Sequence, residues 1–189
     1  MARNTDTRVI ITKKMIKEAL LSLLEEKPIA KVTVKELCEK AGINRGTFYL
    51  HYNEPNDVLR EIEAEWVDRS LAFFDPYMQN DEPDQMAQLF AGIMADRRLS
   101  LVLFGDHGSA RFVERIKEMI RPRVIRDWQV EFPDYQEDDL AFVFEFVFPG
   151  AMRLILNWLG DDGGISASQF AHRLDVLGHY SHLAIREFG

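Results

Sequence analysis

Apolar residues recur at helical spacing along almost the whole chain, and no stretch shows the strict alternation of a half-buried strand. The first stripe (Met15, Ile16, Ala19, Leu20, Leu23, Leu24) predicts a helix from about Thr12 to Glu26, stopped by Pro28. Thr33-Val34-Lys35-Glu36 then reads as a capping box, with Val32 and Leu37 at the staple positions. The helix it opens ends at Ala41, where Gly42 can take the left-handed cap conformation. Asn44 is placed to cap a third, short helix reaching Tyr52. A longer fourth helix follows from Pro55 to about Phe74, with Asp75-Pro76 as its break.

Beyond a polar loop from Gln79 to Gln85, helical patterns cover Gln85–Ala95, Arg98–Phe104 and Ser109–Phe132, the last kinked at Pro122. An acidic loop from Pro133 to Asp139 precedes an apolar helix, Leu140–Leu159. Ser166-Ala167-Ser168-Gln169 is a second capping box, opening a final helix to about Glu187. The expected fold is all-α: a three-helix head with a helix-turn-helix at 33–52, joined by a long helix to a helical C-terminal domain. The division falls at 1–54 and 55–189.

Leu140–Leu159 is long enough to span a bilayer, but Glu145, Arg153, Asn157 and the Pro149-Gly150 pair interrupt it. A buried helix is the better reading. Cys38 is the only cysteine, which excludes an internal disulfide and fits a reducing, cytoplasmic setting. The stretch Met1–Ile11 lacks the apolar core of a signal peptide.

Charge sharpens the picture once it is divided along the chain. The net −8 of the 189 residues hides a basic head. Residues 1–52 hold ten Lys/Arg against six Asp/Glu, a net +4, and the remainder holds 13 against 25, a net −12. A head of that sign suits phosphate, and an acidic body is repelled by it.

On a helical wheel, Phe48 and Tyr52 point to the core with Val34, Leu37, Cys38 and Ile43. The opposite side carries Arg45, Gly46, Thr47, Tyr49, Leu50 and His51, a face without acids. Arg45 can pair with guanine or phosphate, Thr47 with a base edge, and Leu50 with a thymine methyl. Gly46 allows close backbone approach, and Tyr49 and His51 have the reach for phosphates. With Thr33, Lys35 and Asn44 at the helix starts, these form the expected DNA-binding set.

The stretch from Thr33 to Tyr52, followed by Val58-Leu59, resembles the TetR family of bacterial regulators. The likeness rests on the Ala41-Gly42-Ile43 turn, the Gly46-Thr47-Phe48-Tyr49 run and the His51-Tyr52 pair. It implies a homodimer paired through the last two helices, each head entering a major groove of a palindromic operator. One departure stands out: where the family has a phosphate-contacting lysine at the fourth helix, this chain has Pro55 beside Glu54. Arg3, Arg8 or Lys14 would have to compensate.

Phe142, Phe144, Phe146 and Phe148 wrap around one helix, so some are expected to face a core and others an interface. Trp66, Phe90, Phe104, Phe112, Trp128 and Phe146 could line a cavity for a small apolar or amphipathic effector, with Glu145 and Arg153 as polar groups. His172, Asp175, His179 and His182 share a face at metal-capable spacing, but a surface or interface role is the expectation. No catalytic constellation or cofactor motif is present in the sequence. The expected function is a repressor released from its operator by a small molecule. The rival is an effector-independent, DNA-bound dimeric scaffold whose body docks another protein.

Overall fold

The computed structural model describes residues 2–77, 84–161 and 164–183; within these, side chains are described for 7–70, 86–161 and 164–181. Among the described residues the chain is wholly helical, with no strand: α1 (Ala2–Leu24), α2 (Val34–Ala41), α3 (Arg45–Tyr49), α4 (Pro55–Tyr77), α5 (Asp84–Ala95), α6 (Arg97–Phe104), α7 (Ala110–Glu131), α8 (Glu137–Gly160) and α9 (Ala167–Leu183). Most of the expected loop from Gln79 to Gln85, the end of the last helix near Glu187 and the side chains of Arg3 and His182 lie outside the described residues.

Several boundaries differ from expectation. α1 starts ten residues earlier than the Thr12 read from its apolar stripe, because a polar run without Pro or Gly does not stop a helix. α4 runs through Asp75-Pro76 to Tyr77. Pro76 lies one residue from the end of α4, so its missing N–H withholds a single i→i−4 bond and does not stop the helix before Tyr77. The expected acidic loop is largely helix: Glu137, Asp138 and Asp139 form the first turn of α8, where carboxylates complement the positive end of the helix.

The chain divides into two compact units, residues 1–68 with 102–109, and residues 69–101 with 110–189. The sequence placed a boundary at 54/55, where α4 begins; the structural division falls inside α4. Its first half belongs with the first unit because Val58, Leu59, Ile62 and Trp66 are buried there. In that unit α1 packs on α2 and α2 on α3. Ile16, Leu20, Leu24, Leu37, Phe48 and Val58 are essentially without exposed surface. The segment 102–109 adds Leu103 and Phe104, whose ring meets Trp66 edge-on at 4.9 Å.

In the second unit α5 and α8 pack on α9, and α7 on α8. Ile125, Leu140, Phe144 and Phe148 form a core cluster flanked by Trp128. Trp158 stacks on Phe170 at 4.5 Å and 7°, with Phe90 edge-on to Phe170 at 5.1 Å. Arg97 donates to the carbonyls of Leu159 and Gly160, closing the negative end of α8 with a cation. The four phenylalanines of α8 divide as expected: Phe144 and Phe148 are buried, Phe142 and Phe146 exposed. Among the described residues, no helix is long and apolar enough to cross a membrane.

Candidate nucleic-acid interface

Local hydrogen bonds fix both helices of the expected motif. Thr33 Oγ1 accepts from the Glu36 amide at 3.2 Å, and Glu36 Oε2 accepts from the Thr33 amide at 3.1 Å, so the capping box is complete. Lys27 Nζ donates to the other carboxylate oxygen of Glu36 at 2.6 Å. The lysine first, then the Thr33 hydroxyl and amide, pull the Glu36 carboxyl from its ordinary 4.5 to about 2. The staple residues Val32 and Leu37 are both buried.

Gly42 ends α2 with φ 67° and ψ 30°, the left-handed region that its missing side chain permits. The Ile43 amide then donates to Cys38 at 3.0 Å, tightening the turn. Asn44 Oδ1 accepts from the Thr47 amide at 2.7 Å and from its hydroxyl at 3.1 Å. Asn44 is therefore the cap of α3. The helix proper ends at Tyr49, three residues before the Tyr52 expected, and Leu50-His51 continue as a turn.

Gly46 has a structural duty that the sequence did not disclose. A Cβ there would sit 3.2 Å from the capping oxygen of Asn44. The small residue protects the cap as well as leaving the helix surface open.

Phe48 and Tyr52 are buried, with ring centroids 5.9 Å apart. On the outward side Arg45, Gly46 and Tyr49 are exposed, and Leu50 is 79% exposed. Thr47 and His51 are half-buried at the margins. Thr33 and Lys35 are exposed at the start of α2. An exposed arginine on α3 and an exposed leucine at its C-cap, opposite the buried Phe48 and Tyr52, make a surface arranged for contact.

A layer beneath this face was not legible in the sequence. Glu61 of α4 pairs with Lys13 at 3.0 Å and Lys17 at 2.7 Å, both on α1. Lys17 also reaches Glu65 at 2.6 Å. Lys13 Nζ lies 5.3 Å from the Tyr52 ring centroid, a cation–π arrangement. Burial, then the nearby Glu61 charge, push the Tyr52 phenol upward. These partners stand about 48 residues apart, so no local pattern announces them.

The pairing also changes the reading of charge. Lys27, Lys35 and Lys40 are matched with Glu36, Glu39 and Glu26, so with Lys13 and Lys17 at least five of the nine head cations with described side chains face acids of their own unit. Arg8, Lys14, Lys31 and Arg45 are exposed. At the start of α4, Pro55 is buried. The cation nearest that departure from the family pattern, Arg60, is held by Asp57 and by Glu54 at 3.4 Å. Asp57 in turn caps the helix, accepting from the Asn53 and Glu54 amides at 2.8 and 3.1 Å.

The expected effector-pocket residues are distributed over both units. Trp66 and Phe104 belong to the first unit, and Phe112 and Trp128 to the second. Phe146, Glu145 and Arg153 are exposed on α8, with Glu145 paired to Lys117 at 3.0 Å. Apolar spacing along a helix does not distinguish its core side from its outer face. On α9, His179 lies 2.9 Å from Glu131 and 5.9 Å from the Phe132 ring. Among the described residues no three His, Cys, Asp or Glu side chains converge as metal ligands.

Comparison with known proteins agrees with this architecture. Residues 16–62 match the family model described as bacterial regulatory proteins, tetR family, and residues 81–179 match one described as a transcriptional regulator C-terminal region. An uncharacterized HTH-type transcriptional regulator of Bacillus subtilis, YxbF, is 34% identical over 67 residues, or 35% of this chain. That match spans only 18% of the curated relative's length. A TetR transcriptional regulator from Streptococcus agalactiae superposes with a TM-score of 0.68 at 21% identity, over 94% of this chain and 99% of the other. The fatty acid degradation regulator FadR of Bacillus halodurans does so at 0.64 and 16%, over 88% and 94%. The FadR repressor of Thermus thermophilus, solved in complex with lauroyl-CoA, does so at 0.53 and 16%, over 88% and 92%. At such identities these structures speak for the fold. Helix-turn-helix geometry, all-helical body and both family matches lead to one conclusion: this chain belongs to the TetR family of DNA-binding transcriptional regulators.

Proposed function

We propose that this regulator is a cytoplasmic homodimeric repressor that reads a palindromic operator with the outward face of α3 and leaves it when a small apolar or amphipathic effector binds. The observation that carries the DNA-reading part is the exposed set Arg45, Tyr49 and Leu50 opposite the fully buried Phe48. Arg45 and Thr47 supply base-edge hydrogen bonds, Leu50 a methyl contact, and the Thr33 end of α2 a phosphate clamp, with Lys35, Tyr49 and His51 nearby. Residues 1–54 form the reading head and the rest the dimerisation and effector-binding body.

Dimerisation is assigned to α8 and α9, which leave Phe142, Phe146, Leu154, Val176, Leu177 and Tyr180 exposed. So many exposed apolar side chains on two packed helices call for a protein partner. The effector role draws support from the Thermus relative solved with lauroyl-CoA, and from the aromatic cluster of Trp128, Phe144 and Phe148. The exposure of Phe146, Glu145 and Arg153 favours a surface role for that part of the pocket set.

Selection of bound fragments from random DNA tests the reading. The expected product is a palindrome with half-sites about 34–36 Å apart, one helical turn. Enrichment of single, unpaired half-sites would contradict the dimeric operator, and no enrichment would contradict sequence reading itself.

A further inference from the structure

The exposed stripe of α8 is written so that it complements itself. At 100° per residue, Asp139, Phe142, Phe146, Arg153 and Asn157 fall within an arc of about 60°. All five are exposed, Phe142 by 71% and Phe146 by 77%. After Asp139 in the first turn, the stripe is aromatic up to Pro149-Gly150 and polar beyond it. Phe146 and Arg153 lie 3.5 positions on either side of the midpoint of that pair, and Phe142 and Asn157 lie 7.5 positions on either side. At the midpoint the surface is low: Pro149, with its compact ring, and Gly150 are exposed, and a Cβ added to Gly150 would meet nothing within 4 Å.

We propose that two copies of this chain pack α8 against α8 antiparallel, crossing at Pro149-Gly150 about a two-fold axis. Each Arg153 guanidinium then lies on the partner's Phe146 ring, and each Asn157 lies beside the partner's Phe142. This inference rests on the homodimer reading above and supplies its register.

Three physical points select this arrangement. A two-fold axis makes each contact twice, so a stripe whose first half suits its second half is what an isologous interface requires. A guanidinium on an aromatic face is a favourable, weakly hydrated pairing, better suited to a closing interface than a lysine ammonium. A parallel, in-register pairing would instead set Arg153 against the partner's Arg153, and like charges across an interface oppose association. Glu145 does not relieve Arg153, because Lys117 holds it at 3.0 Å. With no side chain on Gly150 and only a compact ring on Pro149, the two helix axes can approach towards about 8 Å, the short end of helix packing. Val176, Leu177 and Tyr180 of α9, the helix packed on α8, are exposed as well.

Cysteine cross-linking of the full-length protein tests the register, with the unmodified chain as the control for the buried Cys38. Gly150→Cys is expected to oxidise to a covalent dimer, because facing Cα atoms at the crossing fall within about 4.4–6.8 Å. A mixture of differently tagged Phe146→Cys and Arg153→Cys chains is expected to give the mixed 146–153 product in excess over either self-linked product. Arg153→Cys or Phe142→Cys linking mainly to itself, or a dimer that no α8 cysteine cross-links, would overturn the register while leaving the homodimer intact. Sedimentation of the unmodified protein separates the deeper failure. A monomer at operator-saturating concentration, or a stable complex only with a different protein, would overturn the homodimer and this inference with it.

Discussion

His107 Nδ1 lies 2.9 Å from the carbonyl oxygen of Leu24, the last residue of α1. The carbonyl can only accept, so Nδ1 carries the proton and donates. The bond satisfies one of the open carbonyls at the end of α1 and ties the turn after α6 into the first unit. Next to it, a Cβ on Gly108 would fall 2.4 Å from the Leu103 carbonyl oxygen and 2.6 Å from that of Val102. His107→Ala is expected to cost about 0.5–1.5 kcal/mol in urea unfolding. Gly108→Ala should cost clearly more, since backbone must move; equal or smaller loss would contradict the tight turn.

Phe48 is fully buried against Tyr52, although it sits within the reading helix. Phe48→Ala should therefore lower stability by about 3–5 kcal/mol through the cavity it leaves. Thermal unfolding of the variant measures this directly. An unchanged melting temperature would move Phe48 out of the core.

Asn44 caps α3 through the Thr47 amide. Asn44→Ala is expected to cost about 0.5–2 kcal/mol and Asn44→Ser far less, because serine restores the acceptor. Matching losses for the two variants in denaturant unfolding would argue against a capping role.

Glu36 gives a pH signature. Its folded carboxyl titrates at about 2 and its ordinary value is 4.5, so the folded chain resists protonation where the unfolded chain accepts it. The stabilisation it contributes is complete above the ordinary value and is lost as pH falls through that window towards 2. Urea midpoints measured from pH 5 to pH 2 should fall less steeply for Glu36→Gln than for the unmodified protein. Parallel curves would show that the Lys27–Glu36–Thr33 cluster is not coupled to folding.

What was legible in the sequence was chemistry confined to four or five neighbouring residues. The capping boxes at Thr33 and Ser166, the left-handed Gly42 and the Asn44 cap all stand as read, because each bond closes within three or four positions. Element type was equally clear from apolar spacing. Element ends were not: a helix start such as Ala2 carries no breaker, and Glu137–Asp139 read as loop from polarity alone. Long-range pairing was invisible. Nothing near Lys13 names Glu61, and nothing in the run of phenylalanines says that Phe144 turns inward while Phe146 turns out.

The central claim is that the outward face of α3 reads sequence, and its sharpest test compares Arg45→Ala and Leu50→Ala on operator and random DNA at one fixed salt concentration. Both residues are exposed, so the melting temperatures should stay close to that of the unmodified protein. A lost base contact costs about 1–3 kcal/mol, so operator affinity should drop roughly 5- to 150-fold with a much smaller loss on random DNA. Operator affinity unchanged in both variants, or falling equally on the two DNAs, would contradict the account.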